Sequence, residues 1–249
     1  TAGPTSASGT QAMFLYPGGC GSSYLASSGY ILYKNPQVIF GSISNETQAF
    51  TSTSRSTSQA VLDLSPSNIA ITANSLTYNS DGTFGFTSAS GDNLSTNTGA
   101  ITGNAPRSIF AWVKSTNAAG MCIFSSGTAA NNQAFNLVTY GYNKVGVMGY
   151  NNDFYPSSGA NIFDGNWHYV GAVANGSSGI TTYVDGNQDN TGTITYNTTG
   201  QNNFVGKSNH AGADNYWNGS ISALQVYNVG LSASQVAQNY NAQRSIYGI

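Results

Sequence analysis

Apolar residues along this chain recur in short runs with a period of two, the signature of strands whose side chains point alternately to opposite faces. Arg107-Ser-Ile-Phe-Ala-Trp-Val-Lys-Ser115 is the clearest case, with Ile109, Ala111 and Val113 opposite Phe110 and Trp112. From Ala60 onward such runs recur at 60–64, 83–87, 107–115, 120–125, 134–140, 145–150, 166–174, 180–184, 188–196, 202–207 and 219–227. That spacing of about 8–12 residues marks a sandwich or barrel. Turn residues punctuate it: Asn79-Ser-Asp-Gly82 precedes the second run, and Asp185-Gly186 fits the type I′ turn of a tight hairpin. Helical periodicity begins only at Ser232-Ala-Ser-Gln235, a capping-box pattern in which the Ser232 hydroxyl accepts from the Gln235 backbone N–H. Val236 and Tyr240, four apart, give that helix one apolar face. The pattern predicts an all-β fold closed by one short C-terminal helix.

Residues 1–57 do not share this rhythm. A Thr/Ser/Gly/Ala leader is followed by extended segments at Ala12–Tyr16, Tyr30–Tyr33 and Gln37–Ser42, then by the nearly pure Ser/Thr run Thr51–Ser58. This stretch is expected to be an N-terminal arm that docks on its own core or on a neighbour, and residues 58–249 a single jelly-roll domain. The chain starts at Thr1, so a segment upstream is expected to have been removed; a secretory signal, viral processing and a cloning boundary would look alike.

Composition narrows the function classes. Only 6% of residues are charged, against roughly 25% in an ordinary globular protein. Ser, Thr, Asn, Gln and Gly carry the polarity instead, as suits surfaces that pack through hydrogen bonds. The 16 Tyr, 11 Phe and 3 Trp argue against a disordered polar chain. Seven Lys and Arg, scattered singly in a chain of net charge −2, make no footprint for nucleic acid. No apolar run approaches the ~18–20 residues of a membrane span. Cys20 and Cys122 leave two readings open: a disulfide tying the arm to the core, or a buried small hydrophobe and an exposed thiol.

Asn166-Trp-His-Tyr-Val-Gly-Ala-Val173 resembles the W-H-x-V strand of laminin-G-like domains, and Thr182-Tyr-Val-Asp-Gly186 resembles their Y-V-D-G hairpin. Trp217 to Ser232, Phe84 to Asn93 and Ile109 to Lys114 are similar to three further segments of that family, in the family's order. The resemblance covers about residues 60–249 and implies a concanavalin A-like (laminin-G/pentraxin-like) jelly roll. Residues 238–249 resemble a variant found at the C-terminus of bacteriophage structural proteins, which implies a virion surface or fibre component. Ser222 and Gln225 stand where the family carries charge, and so put in doubt any ion pair or metal ligation there.

Glycosidases of this fold need two carboxylates facing one cleft. The chain has one glutamate, Glu46, in the arm, and its aspartates lie mostly beside Gly or Asn, where turn formation explains them. No catalytic residue is expected. Loop oxygens suit Ca²⁺, and the resemblance implies a rim site for which Asp92, Asn93 and Asp214 are the candidates. Glycan binding calls for exposed aromatics beside amides; the candidates are Tyr142, Tyr150, Asn152, Phe154, Tyr155 and Trp217, whereas Trp112 and Trp167 are expected in the core. The expected function is a non-enzymatic virion surface protein, a capsid decoration or fibre/adhesion subunit. It would contact copies of itself or other virion or filament subunits through residues 1–57, and glycans through its loops. The alternatives are a secreted or cell-surface lectin, an extracellular filament subunit and, more remotely, a polysaccharide-degrading enzyme.

Overall fold

The computed structural model describes residues 69–78, 83–139, 143–176, 178–210 and 215–249, together with strands β1 (Met13–Tyr16) and β2 (Gln37–Phe40), which pair antiparallel. The rest of the arm, the expected strands at 30–33 and 60–64, and the Asn79–Gly82 turn lie outside the described residues.

Two seven-stranded antiparallel sheets make the domain. The first runs, edge to edge, β11 (Asp153–Phe154), β10 (Gly146–Met148), β9 (Ala134–Val138), β8 (Cys122–Gly127), β15 (Asn203–Val205), β6 (Asn93–Thr96) and β3 (Thr72–Asn74). The second runs β14 (Asn187–Thr193), β13 (Gly179–Val184), β12 (His168–Ala174), β7 (Arg107–Lys114), β16 (Gly219–Tyr227), β5 (Phe84–Phe86) and β4 (Thr77–Tyr78). Register fixes which side chains share a face, because residues directly opposite each other in adjacent strands point the same way. In the first sheet Leu94, Val205, Phe124, Leu137, Val147 and Phe154 stand in one row facing the second sheet. From the second, Ile109, Ala111, Val113, Val170, Ala172, Ile221 and Phe84 answer them. These residues form the core.

β7 departs from the usual pattern of one wet face, since every residue from Arg107 to Val113 is buried. Its outward row, Phe110 and Trp112, joins Tyr169 and Gln225 in an aromatic layer roofed by helix α1 (Ala233–Gln243) and the 3₁₀ turn after it. The Ser232–Gln235 capping box forms as its residues require. Tyr240 of α1 lies over the Asp185-Gly186 turn, whose two residues have φ of 51° and 78°. A β-carbon at Gly186 would fall 2.9 Å from the Tyr240 ring, so glycine serves both the turn and the helix above it. Ser222 and Gln225, the two neutral departures, lie in this layer and accept hydrogen bonds from the hydroxyls of Tyr247 (3.1 Å) and Tyr169 (2.6 Å).

Asn93, expected among loop oxygens beside Asp92, instead opens strand β6, whose backbone is paired on both edges, by β3 and β15. Within residues 150–155, Asp153–Phe154 pairs with β10 as a tight hairpin, which puts Tyr150 and Asn151 at its tip.

Candidate functional site

The β10–β11 hairpin turns on Tyr150 and Asn151, with φ of 67° and 60°. Two left-handed residues in a two-residue connection are the requirement of a type I′ turn, which glycine, asparagine and aspartate normally fill. Asn151 is ordinary there; Tyr150 is not, because its β-carbon crowds the following carbonyl at a cost of roughly 1–2 kcal/mol. The surroundings hold it in place. The Tyr150 carbonyl accepts from Asn132 N–H (3.0 Å), Asn151 Nδ2 donates to Asn131 Oδ1 (2.7 Å), and Asn152 Oδ1 accepts from Thr195 N–H (2.8 Å). The half-buried Tyr150 ring lies 5.3 Å from the exposed His210 ring, inclined by 31°.

The other glycan candidates separate. Tyr155 is half-buried beside this hairpin. Phe154 faces inward opposite Val147 and packs on the core, so it is no platform. Trp217 is 0% exposed and likewise offers no face to a ligand. Tyr142 and Asp214 lie outside the described residues. Tyr150 and Tyr155 therefore remain as half-exposed rings, with the Asn152 oxygen already committed to the backbone.

Asp92 is 1% exposed: Oδ2 accepts from Thr87 N–H (2.7 Å), while Oδ1 has no hydrogen-bond partner. Burying a bare carboxylate oxygen is costly unless something compensates it, and a hard cation is the chemistry that would. Asn93 beside it donates Nδ2 to Gly91 O and accepts at Oδ1 from Asn74. Among the described residues no group of three or more His, Cys, Asp or Glu converges on one point. Cys122 is a free, buried thiol that burial pushes above its ordinary pKa; Cys20 is outside the described residues.

A site that sequence reasoning missed lies on the outer face of the first sheet, the side turned away from the second. Across it, register aligns Thr72, Ser95, Phe204, Ser125, Asn136 and Met148. The segment after β15 crosses this face and is pinned there: Ser125 Oγ donates to Lys207 O (2.8 Å), and Asn209 Nδ2 donates to the Ser126 and Gly127 carbonyls (both 3.2 Å). Lys207 Nζ lies 4.9 Å from the Phe204 ring centre and 5.7 Å from that of Tyr216. Only the alternation of Asn203–Val205 signals that Phe204 points outward, and three residues are too few to fix that phase from sequence.

The family motifs themselves build a clasp. The His168 ring sits between two carboxylates, Nδ1 2.8 Å from Asp185 Oδ2 and Nε2 3.1 Å from Asp164 Oδ1. Asp185 Oδ1 also accepts from Tyr169 N–H, and Asn166 donates twice to Asp164, holding that acid low, at about 2. Hydrogen bonding to Asp185 raises the His168 pKa above its ordinary 6.5, against the opposing effect of burial. The folded chain thus holds this proton more tightly than the unfolded chain does. The extra stability is fully present below pH 6.5 and is lost as pH rises through the raised folded value. The melting temperature is expected to fall as pH rises above 6.5 and to lose that slope in Asp185→Asn; equal slopes in the two proteins would refute the assignment. Both acids are engaged by one imidazole, which is the work of a structural clasp.

A family model matches residues 87–237, and its description is the concanavalin A-like lectin/glucanases superfamily. The chain belongs to this superfamily. Among solved structures similar to this superfamily member, the binding domain of botulinum neurotoxin serotype G is 15% identical with a TM-score of 0.54, over 74% of this chain and 49% of that one. The serotype D binding domain is 16% identical with a TM-score of 0.51, over 73% and 49%. Domain 4 of an extracellular arabinanase from Geobacillus stearothermophilus, solved in complex with arabinotriose, is 18% identical with a TM-score of 0.50, over 69% and 87%. The chain thus spans about half the length of the toxin domains, and at these identities the likeness is one of fold. Curated protein sequences give no match. No helix among the described residues is long and apolar enough to cross a membrane.

Proposed function

We propose that this chain is a non-enzymatic carbohydrate-binding module displayed on a virion surface, with the Tyr150 turn as its glycan contact. The observation that carries the reading is Tyr150 itself: a bulky residue in a left-handed conformation, ring half-open beside His210. Strain of this kind persists where surrounding bonds impose it, and it gathers at ligand clamps. Tyr155 and the amides of Asn131 and Asn151 supply further stacking and hydrogen-bonding groups around it. The arabinanase domain's complex with arabinotriose makes arabino-oligosaccharides the first ligands to try. Asp92, with its unpaired oxygen, and Asn93 would hold a Ca²⁺ at the sandwich rim, where the ion would stiffen the loop before β6. Residues 1–57 serve as the docking segment to neighbouring subunits, since a surface this poor in charge has few ion pairs to assemble with.

Tyr150→Ala is expected to weaken binding on a glycan array by at least tenfold. Tyr150→Gly should lose binding as well, yet melt no lower than the parent, because glycine occupies the left-handed turn without strain. Undiminished glycan binding by both variants would overturn the reading. Recovery of the chain in purified particles by mass spectrometry tests the virion location.

A further inference from the structure

We infer that the outer face of the first sheet carries a second binding site, for an anionic saccharide, centred on Lys207. The site goes beyond the Tyr150 reading and shares no residue with it. Among the described residues every ion pair belongs to His168, so none of their carboxylates pairs with Lys207. Two aromatic rings hold its ammonium instead, at 4.9 and 5.7 Å. Ring quadrupoles attract a cation without supplying a counter-charge or taking up its hydrogen-bond donors. The ammonium is therefore placed but still open to an anion.

Rigid supports position all three side chains. Phe204 is a strand residue between Ser95 and Ser125. Lys207 is anchored through its carbonyl to Ser125, and Gly206 before it donates its N–H to Ile123 O (2.9 Å). Tyr216 precedes the fully buried Trp217, whose N–H donates to Gly206 O (2.8 Å). The Tyr216 ring lies over Gly91, 3.7 Å from where a β-carbon would stand. Neither Phe204 nor Tyr216 packs on the core cluster, although both are large aromatics. Past Phe204 the same row continues through the half-buried Ser95 to the exposed Thr72. A saccharide fits this chemistry: its C–H face on the exposed ring surfaces, its hydroxyls toward Ser95 and Thr72, its carboxylate or sulfate on Lys207.

The test is titration of the full chain with an alginate hexamer, a dextran sulfate oligosaccharide and neutral arabinotriose, in the parent, Lys207→Gln, Lys207→Arg and Tyr150→Ala. At least one anionic ligand should bind the parent, and Lys207→Gln should weaken it tenfold or more with the melting temperature unchanged. Lys207→Arg should retain binding, because a guanidinium keeps both the charge and the ring contacts. Added salt should weaken the anionic ligand and spare the neutral one. Tyr150→Ala should bind the anionic ligand as the parent does, which separates this site from the one proposed above. Binding by the hexamer alone assigns a carboxylate, and binding by the dextran sulfate alone a sulfate ester. No binding of either anion to the parent, equal binding by Lys207→Gln, or loss of anionic binding in Tyr150→Ala would overturn the inference.

Discussion

Trp112→Ala is expected to destabilise the domain by about 3–5 kcal/mol and to release the C-terminal helix from the sheet. Trp112 is 0% exposed at the centre of the outer aromatic layer. Its ring stacks on Tyr247 at 4.0 Å and 17°, on Tyr240 at 5.8 Å and 21°, and meets Tyr169 at 5.4 Å. Its Nε1–H donates to Gln243 Oε1 at 3.0 Å, joining strand β7 to the last residue of α1. Truncation opens a cavity and strands the acceptor of Gln243, itself only 7% exposed. Isolated helices as short as α1 are marginal in water, so this helix depends on the layer beneath it. Circular dichroism should show a melting temperature lower by roughly 10 °C, and limited proteolysis should cut after residue 227 sooner than in the parent. A shift of a degree or two would count against this account of how the helix is held.

Arg107→Ala is the second large effect expected, at about 3–5 kcal/mol, from the void it leaves and the buried acceptors it strips of donors. Arg107 is 1% exposed and faces inward from β7, where most strands carry aliphatic residues. Burial pulls its pKa down to about 10, so it stays charged at neutral pH. Neutral oxygens satisfy it: Nε donates to Ala105 O (3.1 Å), one terminal nitrogen to Thr198 Oγ1 (2.8 Å) and the other to Gly103 O (2.9 Å). The Phe135 and Tyr196 rings lie 5.0 and 4.9 Å from the guanidinium carbon. Gly103 and Thr198 also form an isolated β-bridge, so Arg107 fastens together two loops at one end of the sandwich. Alanine would take a donor from Ala105 O and Thr198 Oγ1, leave Gly103 O with Thr198 N–H alone, and open a void between two rings. Arg107→Met refills the void and removes the charge, and should recover part of the loss. Denaturant unfolding measures all three proteins; an alanine variant within 1 kcal/mol of the parent would contradict the role given to Arg107.

Local rules were legible wherever local chemistry decides. The Ser232–Gln235 capping box, the Asp185-Gly186 turn and β16 over Gly219–Tyr227 follow from residues a few positions apart. Strands with few distinguishing side chains were not legible. Asn93–Thr96 gives no strand signal, because Asn, Ser and Thr favour turns, yet ladder bonds on both edges make it a strand. Rings that looked alike in sequence came apart for the same reason. Phe154 and Trp217 turned inward, and Tyr150 stayed at the surface, because strand phase and loop anchoring set their directions.

The sequence by itself determined an antiparallel sandwich with a capped closing helix, for period-two patterning, turn residues and capping are short-range signals. It also determined a domain nearly without ion pairs, since 6% charge leaves little to pair. Tertiary structure alone decided that His168 meets both Asp164 and Asp185, that Arg107 is buried among carbonyls and rings, and that Lys207 stands between Phe204 and Tyr216. Those contacts depend on strand order, register and the paths of the connecting loops, which bring together residues far apart in the chain.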